Sequence, residues 1–464
     1  MNFNSIQSAN SDTIAAIATP NAAGGIGIVR ISGADALNVA ARIFVPKSNV
    51  DILRSPGYCV YYGHFHNENG EKLDEVLCTI FRAPKSYTGE DCAEISCHGG
   101  LYITRRVLSE ALAAGAKLAR VGEFTERAYL NGRIALEQAE AVAVLIAAHN
   151  ESALKAANTA LGGALGEKIT ALANLIAMSS ADVAAWVDYP DEDIPEPDSA
   201  GLLTLLQPAQ AELAALLNHY ENGRFLMEGA DVVICGRPNT GKSTLMNLLC
   251  GTEHAIVTDI PGTTRDVLDA TVRLGEIPLR LADTAGLRDS DSIVEQIGIK
   301  RAHERIAGSD LIFAVLDCSK PLAHDDKELL ETCAGRKGVI ILNKADLPQV
   351  IIADELVQYG KPIVRLCAKT GNGLDELRTV VEDLLGTADF DPNAAVLISE
   401  RQRKCCAQAQ ANLAEAIAAL QNGVTLDAAQ ILLDDALNAL LELRGQTATE
   451  AVTAAVFSQF CVGK

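Results

Sequence analysis

Short apolar runs separated by turn-forming residues dominate the chain from about Ser11 to Gly122. GIGIVRISG, YCVYYGHF, VLCTIF and CAEISCHGG have the length and composition of strands, and Leu101 to Ala114 has the spacing of a helix. Residues 1–122 therefore read as an α+β domain built on a sheet. From Glu123 the texture changes to Ala- and Leu-rich helical sequence such as LEQAEAVAVLIAAH and LLTLLQPAQAELAALL, over 123–229. An acidic, proline-containing stretch from Asp188, DYPDEDIP, interrupts it and reads as a solvated loop or a partner site. Residues 230–386 return to strand-like runs that alternate with helical segments: ADVVICG, IPLRLADTAG, GVIILNKAD and PIVRL. Helical texture resumes over 387–464, in RQRKCCAQAQANLAEAIAAL and AQILLDDALNALLELRG. Neither helical stretch looks complete alone. One α-helical bundle whose two halves bracket an inserted α/β domain is the economical solution, and it requires only that the insert's termini lie close together.

Chemistry enters at the first strand of the insert. ADVVIC runs into Gly236-Arg-Pro-Asn-Thr-Gly241-Lys242-Ser243 and then into the helix-like TLMNLLCG. The spacing G-x-x-x-x-G-K-S between a strand and a helix is that of a phosphate-binding loop. Glycines let backbone N–H groups crowd around phosphate oxygens, and the helix N-terminus adds partial positive charge. Asn239, Thr240, Gly241, Lys242, Ser243 and Thr244 are the candidate contacts. Lys242 suits the β- and γ-phosphates, and the Ser243 hydroxyl suits Mg²⁺.

Three further signals choose the base. Asp283, Thr284, Ala285 and Gly286 close the second run, with the Asp suited to Mg²⁺ through water and the Gly N–H to the γ-phosphate. Asn343, Lys344 and Asp346 follow the third run, where the Asp346 carboxylate can accept from guanine's ring N–H and amino group. Adenine offers no such pair of donors, so a buried acceptor facing it would be left unpaired. Cys367-Ala368-Lys369 follows PIVRL, and the Ala368 N–H is expected to face the base. The insert is expected to be a Ras-like P-loop GTPase domain that binds GTP with Mg²⁺.

Composition limits the remaining choices. The 464 residues allow about three domains of ~150 residues. A formal net charge of −21 excludes a general electrostatic grip on nucleic acid, so any RNA contact is a local basic patch or belongs to a partner. The 12 cysteines are scattered, without C-x-x-C pairs or histidines at zinc spacing, and read as reduced thiols. The polar start MNFNSIQSANSD lacks the regions of a signal peptide, and no uninterrupted apolar stretch looks long enough to span a bilayer. A soluble cytoplasmic protein with no membrane partner is expected.

Hydrolysis needs a group that orients water. Leu287 stands directly after the D-x-x-G segment, where many small GTPases use glutamine, and it cannot do this. Glu295 lies shortly downstream and can reach a water through a second water, or can be an exposed helix-surface carboxylate. No arginine is singled out as a finger, and a cation can replace one.

Taken with GGIGIVRISG, TGED, CHGG, GEFTERAYLNGR, PDEDI, AIVTDIPGTTRDV, DTAGLR and the terminal FCVGK, these motifs give a resemblance. The chain resembles the MnmE (TrmE) family of tRNA modification GTPases along essentially its whole length. The resemblance implies that, with an FAD-containing partner, MnmG (GidA), in a heterotetramer, a carboxymethylaminomethyl-type group is installed on C5 of the wobble uridine of tRNA. The one-carbon unit comes from 5-formyl-tetrahydrofolate or a related reduced folate, held by an N-terminal domain that also forms a homodimer.

It further implies that K⁺ supplies a finger-like charge, bound by Asn239, Thr258, Ile260 and Thr263. Asp259, Pro261 and Gly262 fall in the same GTP-contacting loop, Thr264 is similar to the Mg²⁺-binding switch threonine, and Glu295 to the water-orienting glutamate. The folate pocket carries over as Arg30, Glu94, Arg133 and Lys464, with Arg133 where the family often has lysine. His98 is a turn-stabilising residue or a ligand, and Cys461 a packing residue or a chemical one.

The rival from another class is a ribosome-assembly GTPase switch without covalent RNA chemistry. It predicts a second GTPase domain or a KH module, and the sequence has neither pattern. A third reading is a folate enzyme with a GTPase attached for regulation only.

Overall fold

The computed structural model describes residues 12–188, 195, 197–251, 269–283, 308–458, 460 and 463. The chain divides into two compact units. One comprises Met1–Ala143, Leu161–Leu206 and Ala411–Lys464, and the other Val144–Ala160 and Gln207–Gln410.

The first unit opens on a seven-stranded sheet in the order β3-β4-β5-β6-β2-β1-β7. The strands are β1 (Ile14–Ile17), β2 (Ile26–Ser32), β3 (Phe44–Pro46), β4 (Cys59–His66), β5 (Lys72–Phe81), β6 (Cys92–His98) and β7 (Lys117–Leu118). Every pairing is antiparallel except that of β1 with β7. Such sheets bury one face and wet the other, so their strands alternate. In β5, Val76, Cys78 and Ile80 are buried while Leu73 and Leu77 remain exposed. The buried face packs on the helices Ala36–Ile43 and Leu101–Ala113 through Leu37, Val39, Ala40, Ile43, Val107 and Ala111.

Helices complete this unit. Ala164–Asp188 packs along Leu426–Leu443, with Ile169, Leu172, Ile176 and Val183 buried on one and Leu433, Ala436, Leu440 and Leu443 on the other. The three- and four-residue spacing puts each set on one stripe. Ser180 Oγ donates to Asp434 Oδ1 at 2.5 Å across the pair.

The length reading needs one correction. Ala164–Val187 and Ser199–Glu228 are each long and apolar enough to cross a membrane by length and composition. Polar residues interrupt the apolar runs of both segments, so neither holds an uninterrupted stretch, and only their average hydropathy and helix length meet that measure. In the structure both helices bury residues at helical spacing, Leu206, Leu213 and Tyr220 on the second.

The second unit holds a six-stranded sheet in the order β13-β12-β11-β8-β10-β9. Its strands are β8 (Ala230–Cys235), β9 (Asp269–Leu274), β10 (Ile277–Asp283), β11 (Leu311–Asp317), β12 (Gly338–Asn343) and β13 (Ile363–Leu366). All pairs are parallel except β9 with β10. β11 and β12 are buried along their whole lengths, which is why they read as unbroken apolar runs. The order reverses at β8, whose neighbours are β10 and β11. In open α/β sheets ligands bind beyond the carboxyl ends of the strands at such a point.

The chain therefore combines an α+β N-terminal domain, an α-helical bundle and an α/β domain of P-loop GTPase type that lies in sequence between two helical stretches.

Candidate nucleotide site and N-terminal polar cluster

β8 delivers the chain at Cys235 into the glycine loop, and the helix Lys242–Gly251 leaves it. The loop's tightness sets its residue types. Asn239 sits in the left-handed region at φ +66° and Gly241 at φ +98°. A Cβ on Gly241 would lie 2.1 Å from Asn343 Nδ2, so only glycine lets this backbone pass beneath the next loop. Lys242 is buried, and its Nζ donates to the carbonyls of Gly236 and Arg237, both at 2.7 Å. Thr240 is buried and its Oγ1 donates to Arg237 O at 3.0 Å. Ser243 and Thr244 are exposed at the start of the helix, where a hydroxyl can meet a metal-bound triphosphate. The loop supplies glycines, an ammonium and a helix N-terminus within one short segment, and these fit a nucleoside triphosphate.

Asn343, only 2% exposed at the end of β12, joins that loop to the segment around Ala368. Its Nδ2 donates to Thr240 O at 2.9 Å, and its Oδ1 accepts from Ala368 N at 3.0 Å. The Ala368 N–H, expected to face the base, goes to Asn343 instead, because a buried amide and a buried side-chain oxygen must each be satisfied. Asp346 is exposed on the loop, and Cys367 Sγ donates to its Oδ1 at 3.3 Å. The sulfur thus supplies, at longer range, the contact a serine hydroxyl would make. Lys344, at φ +64°, sends its Nζ to Asn239 O at 2.8 Å and to Asp317 Oδ2 at 2.6 Å.

Asp317 did not figure among the sequence candidates. The available signal was a lone carboxylate ending the apolar run LIFAVLD. Asp283 closes β10, paired in register with Ile234 of β8. Thr258, Asp259, Ile260, Pro261, Gly262, Thr263, Thr264, Thr284, Ala285, Gly286, Leu287 and Glu295 lie outside the described residues.

In the first unit, β2 and β6 bring Arg30 opposite Glu94. Arg30 Nε donates to Glu94 Oε1 at 2.8 Å, and both side chains are largely but not wholly buried. The guanidinium lies 5.6 Å from the ring centres of both Tyr87 and Phe124. Burial pushes the Tyr87 phenol up, while the Thr125 hydroxyl and the Arg30 charge oppose that shift.

Arg133 is exposed and joins the cluster indirectly: its Nε donates to Ser86 O at 3.2 Å, one residue before Tyr87. The C-terminus reaches the same place. Val456, Phe457 and Phe460 pack on Leu136 and Ala139, and Gly463 O accepts from Arg30 Nη1 at 3.5 Å. Lys464 and Cys461 lie outside the described residues. The Glu94 carboxylate and the Arg30 guanidinium, each about a fifth exposed, lie beside the exposed Tyr87 ring and can hydrogen-bond a planar ring system, while Phe124 is fully buried.

His98 is 74% exposed, and Asp74 holds both its backbone N–H, at 3.0 Å, and its Nδ1, at 2.7 Å. That is the turn-stabilising arrangement. Arg127, 1% exposed, was not singled out from the sequence. It pairs with Glu90 at 3.1 Å and Glu123 at 2.9 Å and donates to Asp12 O. Its sequence signal was only its place in GEFTERAYLNGR.

Known proteins resemble this chain in sequence. A family model described as the MnmE helical domain matches residues 136–461, and one described as the GTP-binding protein TrmE N-terminus matches residues 13–133. The tRNA modification GTPase MnmE of Roseiflexus sp. (strain RS-1) is 42% identical over 463 residues, covering 98% of this chain and 99% of its own. The protein of the same name from Geobacter sulfurreducens is 40% identical over 457 residues, with the same coverage. That from Acetivibrio thermocellus is 38% identical over 457 residues, again with the same coverage. Since one family model spans well over half of the chain and these relatives align along nearly all of it, the chain belongs to the MnmE family of tRNA modification GTPases.

Proposed function

We propose that this chain hydrolyses GTP and uses the hydrolysis to drive modification of tRNA at C5 of the wobble uridine. The observation that carries the nucleotide half is Asn343, whose two bonds tie the phosphate loop at Thr240 to the base-reading loop at Ala368. A loop that recognises phosphate and a loop that recognises a base serve one ligand only when held at a fixed separation. Asp346 reads guanine by accepting from its ring N–H and amino group. Ser243 and Thr264 hold Mg²⁺. Asn239, Thr258, Ile260 and Thr263 hold K⁺, which supplies positive charge where negative charge develops between the β- and γ-phosphates. Glu295 orients the attacking water.

The modification half rests on family membership and on the N-terminal polar cluster. Glu94 and Arg30 hold the ring of a reduced folate, Arg133 and Lys464 its carboxylates, and the bound folate supplies the one-carbon unit. The chain works as a homodimer with the FAD-containing partner MnmG, in the cytoplasm, on tRNA. Two measurements test these halves separately. Steady-state phosphate release in matched KCl and NaCl buffers is expected to be fast in K⁺ and slow in Na⁺, and indistinguishable rates refute the cation role. Mass analysis of wobble uridines in tRNA from cells lacking the protein is expected to show the C5 group missing. Unchanged uridines refute the modification.

A further inference from the structure

The carboxylate of Asp317 lies behind the nucleotide site, one layer away from any expected ligand contact. Its position follows from sheet register. β11 and β12 run parallel with Asp317 opposite Asn343, so the last residue of one strand sits beside the first residues of the base-reading loop. Backbone bonds zip the two exits together independently of the side chain. Cys318 N donates to Asn343 O at 3.0 Å, and Val350 N donates to Cys318 O at 2.8 Å.

The two carboxylate oxygens then divide their work. Oδ1 accepts from Ser319 N at 3.1 Å and Ser319 Oγ at 2.6 Å, which fixes the carboxylate plane. Oδ2 accepts from Lys344 Nζ at 2.6 Å, with Lys320 Nζ more distant at 3.8 Å. Asp317 is 7% exposed, and burial alone would push its carboxyl up. The Lys344 ammonium and the Ser319 hydroxyl and amide outweigh burial and hold it below the usual carboxylate range. The side chain therefore stands as a fixed anion.

Lys344 carries that fixed point forward. Its Nζ bridges from Asp317 to Asn239 O, and Asn239 is held in a left-handed conformation that non-glycine residues adopt at a cost. A lysine side chain has four rotatable bonds and loses much freedom when it is held at one carbonyl. An anion at 2.6 Å on its far side selects the rotamer that reaches Asn239.

We infer that Asp317 is a positioning residue of the nucleotide site, acting through Lys344 to hold the Asn239 turn of the phosphate loop in its binding shape. This inference rests on the guanine-nucleotide reading of the site. It adds that Asp317 sets how long the nucleotide stays bound and does not set which base is chosen. Base choice belongs to Asp346, which Asp317 does not touch.

The test is dissociation of N-methylanthraniloyl-GDP with Mg²⁺, followed by stopped-flow fluorescence on the full chain and on Asp317→Asn, Asp317→Glu, Lys344→Met and the double variant Asp317→Asn/Lys344→Met. Asp317→Asn keeps an acceptor for Ser319, removes the anion beside Lys344 and leaves the backbone zip intact. It is expected to dissociate nucleotide about tenfold faster, equal to about 1.4 kcal/mol. Melting temperature and the preference for GDP over ADP are expected to match the parent. Asp317→Glu restores the charge and is expected to recover most of the lifetime.

The decisive comparison is the cycle. If Asp317 acts through Lys344, Asp317→Asn adds nothing once Lys344 is Met. Independent, additive effects overturn the inference, and so does an unchanged rate for Asp317→Asn. An Asp317→Asn chain that fails to fold also overturns it, because the residue would then serve folding. A parent chain that does not prefer GDP to ADP defeats the guanine reading itself, and that outcome is distinguishable from all of these.

Discussion

The nucleotide site and the N-terminal polar cluster are assembled in opposite ways. The phosphate loop is one contiguous segment whose contacts come from its backbone, and two buried groups, Lys242 and Asn343, fasten it. The Arg30 cluster has no contiguous core. It joins β2, β6, the segment around Tyr87, the start of the Glu123–Leu130 helix and the residue before the C-terminus, and it depends on side chains. The first kind of site tolerates no change in spacing. The second tolerates changes in spacing but depends on each element being docked.

The sharpest expected consequence falls on the contiguous site. Asn343→Ala removes both bonds that tie the two loops and leaves the Thr240 carbonyl and the Ala368 amide without this partner. An unsatisfied buried polar group costs about 1–3 kcal/mol. GTP affinity is therefore expected to fall by about 2–4 kcal/mol in calorimetric titration. A fall of less than tenfold would mean that the loops hold their separation without Asn343.

In the dispersed site one contact matters less, because several elements share the work. Glu94→Gln keeps the shape and one acceptor but leaves Arg30 without its anion. It is expected to weaken 5-formyl-tetrahydrofolate binding about tenfold, which is about 1.4 kcal/mol, while phosphate release from GTP stays unchanged. Calorimetry beside a phosphate-release assay checks both. If phosphate release falls in parallel with folate binding, the two sites are not separate in the way their construction suggests.

This difference in construction explains what the sequence disclosed. The glycine loop, the Asn343–Asp346 segment and the strands that carry them could be read directly, because parallel strands buried on both faces give unbroken apolar runs and the chemistry follows at their ends. Asp317 escaped notice although it closes one of those runs. Its partner, Lys344, lies 27 positions away, and only the β11–β12 register shows the pairing. Arg30 and Glu94 are 64 positions apart and have no local pattern, so only the family resemblance brought them together. Arg127 lies within GEFTERAYLNGR without standing out, since an arginine in a polar helix gives no sign that it will be buried among Glu90, Glu123 and the Asp12 carbonyl.

A smaller effect is expected at the chain end. Gly463 adopts φ +99°, and a Cβ there would meet Ile17 O at 2.2 Å. Gly463→Ala is expected to loosen the tail by about 1–2 kcal/mol, seen as faster trimming by carboxypeptidase with no change in nucleotide binding. Equal trimming rates would mean that the tail is held by Val456, Phe457 and Phe460 alone.

The nucleotide site works as a unit only if its two loops recognise one guanine nucleotide. Competition titration of the unaltered chain, with fluorescent GDP displaced by GTP or by ATP, examines this most directly. GTP is expected to displace the probe at low concentration, and ATP to fail even in large excess, because adenine has no pair of donors for Asp346. Equal displacement by ATP and GTP would contradict the guanine assignment and, with it, the role given to the segment from Asn343 to Asp346.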